Sequence, residues 1–120
     1  MVKNIVIAIV IIGVGALVWF VLSKPAEAQV WVSIDPIQCQ GNPWDKEVAP
    51  EGKEGDEKTN VILFYGKQGI EIFSIESAQV HEIVCQACSC PRGDRLYLEV
   101  SANDARKLVT QGFVEVPSPR

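Results

Sequence analysis

The chain has 120 residues, with 11 basic against 15 acidic side chains and a formal net charge of −4. A chain of this length supports one domain with a small core. Without residues 1–28 the count is nine basic against fourteen acidic residues. An acidic surface with no basic stripe argues against nucleic acid and against anionic lipid headgroups as partners.

The first predicted element is a membrane anchor. Residues 5–22 (IVIAIVIIGVGALVWFVL) carry no charge, and at about 1.5 Å per residue they extend roughly 27 Å, close to the thickness of a bilayer's hydrocarbon core. Trp19 and Phe20 stand near the outer end, where aromatic rings favour the headgroup level. A cleaved signal peptide is the alternative, because residues 26–28 (Ala-Glu-Ala) match a small-x-small cleavage site. The length of the apolar run favours the uncleaved anchor.

Both interpretations export residues 29–120. We therefore predict a single-pass protein of the cell membrane with a cytoplasmic N-terminus. Residues 1–28 form the anchor, residues 5–22 contact the lipid bilayer, and residues 29–120 form an extracytoplasmic domain.

The exported part begins with a predicted strand and a flexible loop. Residues 30–38 (VWVSIDPIQ) alternate apolar and polar side chains, as in a strand with one buried face. Residues 45–58 hold six acidic and three basic side chains with a proline and two glycines. Such a segment buries too little apolar surface to offset its ordering entropy, so an acidic flexible loop is expected.

Two helix-to-strand junctions follow. Residues 56–69 could form a hairpin, but acidic residues at the start and Gly69 at the end favour a helix. A second helix is predicted from residue 104, with Asn103 as its N-cap, before Gly112 and a strand at 113–116. The motifs KQGIEIF and TQGFVEV share a Gln-Gly-apolar pattern, which indicates two related halves.

With a further strand at 96–101, the predicted order is β-α-β-β-α-β. This is an α+β fold of the ferredoxin-like (split βαβ) kind, with two helices and the transmembrane helix in front. Residues 76–84 are left open as an extra strand or a short helix.

The four cysteines are the most unusual chemistry in the chain. Cys39 follows the first strand, and Cys85, Cys88 and Cys90 lie between the second and third strands, so the predicted topology brings them to one end of the sheet. Export and an even count favour two disulfides. A Cys88–Cys90 bridge would close too small a ring. Cys39 is therefore expected to pair with Cys88 or Cys90, and Cys85 with the remaining cysteine.

Two other uses of these thiols stay open. Cys-x-x-Cys-x-Cys with one remote cysteine supplies four donors for zinc or copper(I). Cys85 and Cys88 alternatively form a thiol–disulfide redox pair, although no helix is expected to begin at Cys85 to lower its pKa. In an oxidising compartment cysteines are found as disulfides more often than as the free thiolates that a metal site requires. We therefore expect neither a metal nor another cofactor.

Other candidate residues are few. His81 is the only histidine, and no serine stands in a nucleophile-elbow context, so no catalytic residues are assigned and a non-enzymatic role is favoured. Trp44, in GNPW beside Cys39, either covers the sulfurs or anchors a partner, with the covering role favoured. Arg92 and Asp94 belong to a Pro-Arg-Gly-Asp turn and are kept with Trp44 as candidate partner-binding residues.

The segment LYLEVSANDARKLVTQGFVEV, residues 96–116, resembles the second half of SPOR domains, which are membrane-tethered modules that bind cell-wall glycans. The first half lacks the Gln-x-Gly-Ser-Phe type of strand end, and the cysteines are foreign to the pattern. The resemblance implies an envelope module and identifies no binding residues.

The sequence therefore predicts a membrane-anchored recognition or assembly module of the cell envelope, with a protein or a glycan of the envelope as its partner. The alternative is a thiolate metal-binding or thiol–disulfide redox protein that uses Cys39, Cys85, Cys88 and Cys90.

Overall fold

The structure is a computed structural model that describes residues 26–39, 41–47, 55–82 and 85–120. Its elements, in chain order, are β1 (Gln29–Ile34), α1 (Glu57–Gly66), β2 (Ile72–Gln79), β3 (Asp94–Ser101), α2 (Ala102–Val109) and β4 (Val114–Val116). The predicted membrane span, residues 5–22, lies outside the described residues. Within the described ranges no helix is long and apolar enough to cross a bilayer.

The four strands form one antiparallel sheet in the order β2-β3-β1-β4. The predicted α+β architecture, with a sheet and two helices, is confirmed. Both β1 and β2 run antiparallel to the β3 strand between them, so the end of β1 and the β2–β3 connection emerge at the same end of the sheet. Residues 72–79 form one strand, so the first part of the open segment 76–84 continues β2.

The core lies between one face of the sheet and the two helices. Every second residue of the central strands points to this face, which is the period expected of a half-buried sheet. Val32 on β1 and Leu98 on β3 are fully buried, as are Val61 on α1 and Leu108 on α2. Burying each such side chain stabilises the fold by about 1.5–3 kcal/mol.

Both helices begin at a side-chain cap. Asp56 has extended backbone geometry and its carboxylate accepts a 2.9 Å hydrogen bond from the Thr59 backbone N–H. In α2 the cap is Ser101, whose hydroxyl accepts a 3.1 Å bond from the Asp104 N–H. The prediction of Asn103 as N-cap is wrong because β3 leads directly into the helix, which leaves Asn103 within the first turn.

The acidic loop is shorter than predicted. Residues 57 and 58 already belong to α1, and residues 43–46 form turns. The remaining middle of the predicted loop, residues 48–54, lies outside the described residues.

Candidate functional site

The segment after β1 pairs with the segment before β3 and so brings the cysteines together. Ile37 forms an isolated antiparallel bridge with Pro91. The Gln38 N–H donates to the Cys90 carbonyl at 2.9 Å, and the Arg92 N–H donates to the Pro36 carbonyl at 2.9 Å. Strand pairing between β1 and β3 is thus extended beyond the regular ladder, up to the position of Cys39.

Two disulfides close this end of the sheet. Cys39 is bonded to Cys88 across 49 positions, with 4.8 Å between the Cα atoms. Cys85 is bonded to Cys90, with 6.1 Å between the Cα atoms. Both separations lie in the normal range for disulfides. The predicted disulfides are confirmed, and of the two pairings that the sequence left open the structure has Cys39–Cys88. We call this part of the molecule, residues 36–39 with 85–92, the clamped end.

The side chain of Gln38 adds a second connection within the clamped end. Its amide nitrogen donates to the Cys85 carbonyl and, at 3.3 Å, to the Pro91 carbonyl. These hydrogen bonds connect the loop that contains Cys85 to the end of β1 independently of the sulfur atoms. As for the metal interpretation, the described residues contain no group of three or more histidine, cysteine or carboxylate side chains placed to hold an ion.

Trp44 lies inside the hydrophobic core. It is 1% exposed, and its ring centroid lies 6.3 Å from that of Tyr65 on α1. The indole N–H donates a 3.1 Å hydrogen bond to Glu57, so the one polar atom of the side chain is satisfied. This burial leaves Trp44 almost no surface to offer a partner, and its covering of the sulfurs stays a prediction.

Arg92 holds two carboxylates at once. Its guanidinium donates to both oxygens of Glu57, at 2.9 and 2.8 Å, and to both oxygens of Asp94, at 2.9 and 2.7 Å. Hydrogen bonds from Arg92 lower the pKa of Asp94, and hydrogen bonds to Asp94 and Glu57 raise the pKa of Arg92. The guanidinium therefore fixes the clamped end to the first turn of α1, while partner binding by Arg92 and Asp94 stays a prediction.

Gly93, between Arg92 and Asp94, has a backbone conformation that only glycine adopts without strain. Its φ is +104°, and a Cβ at this position would lie 2.5 Å from the His81 carbonyl oxygen. The Gly93 carbonyl accepts hydrogen bonds from the Val80 and His81 N–H groups, both at 2.9 Å. The Arg-Gly-Asp sequence is thus a turn with a structural requirement for its central residue.

A cleft of about 380 Å³ lies on the sheet face opposite the helices. Within it Arg95 donates two hydrogen bonds to Asp35, at 2.5 and 2.9 Å, and these lower the pKa of Asp35. Its lining residues are Ser33, Ile34, Asp35, Arg95, Gly112, Val114 and Val116. The sequence interpretation missed this cleft, although Asp35 and Arg95 continue the polar positions of β1 and β3.

Comparisons with known protein families, with curated proteins and with solved structures give no match to this chain.

Proposed function

We propose that the chain is a membrane-anchored, extracytoplasmic recognition or assembly module of the cell envelope. The observation that carries this proposal is the pairing of all four cysteines in two disulfides. Disulfides form and persist in oxidising compartments and are rare in the cytosol. The uncharged run at residues 5–22 and the resemblance of residues 96–116 to SPOR domains support the same placement.

The fold suits recognition of a partner. We assign it to the ferredoxin-like arrangement, in agreement with its element order and its strand order β2-β3-β1-β4. A domain with so small a core gains stability from covalent staples. The clamped end then holds its loops rigidly, and rigid loops and sheet faces are suited to binding a partner. An envelope protein or an envelope glycan is the class of partner that this location provides.

The experiment measures the location and the thiol state in the same cells. We expect external protease to cleave a C-terminally tagged full chain in intact cells. We also expect a permeant maleimide, added before lysis, to label none of its cysteines until a reductant is supplied. The Cys39→Ser/Cys88→Ser chain serves as a matched control, because it removes one staple without leaving a single thiol.

Two results would contradict the proposal. One is a domain protected from protease until the cells are lysed, even though it is cleaved readily afterwards. The other is a native protein with four thiols that react with maleimide. If that protein also carried stoichiometric zinc or copper, the thiolate metal-binding alternative would replace the proposal.

A further inference from the structure

One face of the sheet is turned away from both helices, and we call it the open face. Core residues Val32 and Leu98 are cross-strand partners, so their neighbours along the strands point the other way. The open-face residues from the four strands include Trp31, Ser33, Ser74, Glu76, Ala78, Arg95, Tyr97, Glu99, Val114 and Val116. This face combines two aromatic side chains with two carboxylates and with Arg95, which is paired with Asp35.

The segment 117–120 (PSPR) crosses the open face from one edge to the other. It leaves β4 at one edge of the sheet, and the side chain of Arg120 reaches β2 at the opposite edge. The two edge strands are separated by three strand spacings of about 4.8 Å each. An extended segment of four residues, together with the arginine side chain, is long enough to cover this distance. Two prolines in the segment favour such an extended backbone.

Arg120 makes three kinds of contact on this face. Its Nε donates a 2.8 Å hydrogen bond to Glu76, its Nη2 lies 3.5 Å from the Ser74 hydroxyl, and its guanidinium carbon lies 5.7 Å from the centre of the Trp31 ring. An aromatic face and a carboxylate together form a site for a cation. Trp31 is only 7% exposed, so it provides a fixed platform.

The arginine itself is held loosely. Its side chain is 67% exposed and that of Glu76 is 35% exposed. Ion pairs at such exposure are weak, because water and salt screen them. The contact can therefore open and leave the Trp31–Glu76 site free for another cation of the same geometry.

We propose that the open face binds an arginine-bearing, proline-containing extended segment of a partner protein, and that residues 117–120 occupy this site within the chain and compete with the partner. Charge complementarity supports a basic partner, since the chain carries a net charge of −4, Glu76 and Glu99 lie on this face, and Arg95 beside them is already paired with Asp35. A preformed extended backbone also lowers the entropy that a peptide loses on binding.

The proposal rests on the proposed recognition function, but its test uses purified full chain and does not depend on cellular location. The probe is the capped peptide Val-Pro-Ser-Pro-Arg, compared with the same peptide ending in glutamine. Binding is read from the indole N–H resonance of Trp31 in the detergent-solubilised protein. In the absence of peptide, Arg120→Ala and Glu76→Gln should each shift this resonance, whereas Glu115→Gln, an equal change of charge at an exposed position on β4, should not.

Removing the internal competitor should strengthen binding of the peptide. We expect Arg120→Ala to bind the arginine peptide about threefold or more tightly than the wild type, because a site already occupied reduces apparent affinity. Adding Glu76→Gln to Arg120→Ala should abolish the preference for arginine over glutamine, and adding Glu115→Gln should preserve it. Equal affinity of Arg120→Ala and the wild type, or an equal loss with both glutamine substitutions, would overturn the proposal.

Discussion

Glu57 forms a bidentate ion pair with Arg92, 35 positions away in the sequence. Glu57 is the first residue of α1, and Arg92 lies in the turn before β3. Glu57 also accepts the hydrogen bond of the buried Trp44 indole. One carboxylate therefore connects the helix start, the core and the clamped end. Its position in the first turn also suits the positive end of the helix dipole.

Glu57→Gln should measurably weaken the fold. The substitution keeps the size of the side chain but removes the charge that Arg92 pairs with. We expect the free energy of unfolding to fall by about 1 kcal/mol. This is less than the loss expected for a buried ion pair, because both side chains are about one-third exposed and solvent screens their charges. Urea unfolding of the detergent-solubilised chain measures it. Glu115→Gln, at an exposed position, should change stability by less than about 0.5 kcal/mol, and equal losses in both variants would contradict the assigned role.

The Arg92–Asp94 pair predicts a dependence of stability on pH. Hydrogen bonds from Arg92 hold the folded-state pKa of Asp94 below its ordinary value of 3.8. The carboxylate therefore stabilises the fold fully above the unfolded-state pKa, and this contribution is lost as the pH falls through the lower folded-state pKa. The wild type should exceed Asp94→Asn in stability at pH 6–7, with a difference that shrinks below about pH 4. A difference that stays constant from pH 7 to pH 2 would show that the charge is not responsible.

The repeated Gln-Gly-apolar pattern was the most informative part of the sequence for the fold. Gly69 and Gly112 both have positive φ, and each lies between a helix and a strand. The next residues, Ile70 and Phe113, are each 3% exposed. Because only glycine takes this backbone geometry freely, the pattern marks a helix end followed by a buried residue. The glutamines before the two glycines are also hydrogen-bonded to each other, at 2.9 Å.

Long-range side-chain partners could not be predicted in the same way. The chain has fifteen acidic residues, and nothing local distinguishes Glu57 as the partner of Arg92. The sequence left Cys88 and Cys90 as possible partners of Cys39. These two residues are only two positions apart, so the choice between them depends on the path of the turn that connects them. The choice of Ser101 over Asn103 as N-cap likewise depends on where β3 ends, and both residue types are good caps.

Tyr65 should titrate at unusually high pH. It is 1% exposed and lies edge-on to Phe64 and Phe113, with ring centroids 5.0 and 5.5 Å away. Burial raises its pKa to about 12, from an ordinary value of 10.0. The folded state disfavours the phenolate. The stability that comes from burying the neutral phenol is therefore complete below the unfolded-state pKa of 10.0 and is lost as the pH rises toward 12. A rapid pH jump read at 295 nm should show a phenolate step near pH 12 that is absent from Tyr65→Phe. A step near pH 12 that persists unchanged in Tyr65→Phe would contradict the assignment.

The two disulfides should contribute unequally to stability. In the chain-entropy account a cross-link stabilises by restricting the unfolded chain, and the effect grows with loop length. For separations of 49 and 5 residues this gives about 4 kcal/mol for Cys39–Cys88 and about 2 kcal/mol for Cys85–Cys90. We therefore expect Cys39→Ser/Cys88→Ser to unfold at a lower urea concentration than Cys85→Ser/Cys90→Ser, and double substitutions avoid the stray thiol that a single one leaves. Non-reducing peptide mapping of the wild type verifies the pairing first. A peptide containing Cys39 joined to Cys90 would overturn the pairing, and the opposite order of stability would contradict the chain-entropy account.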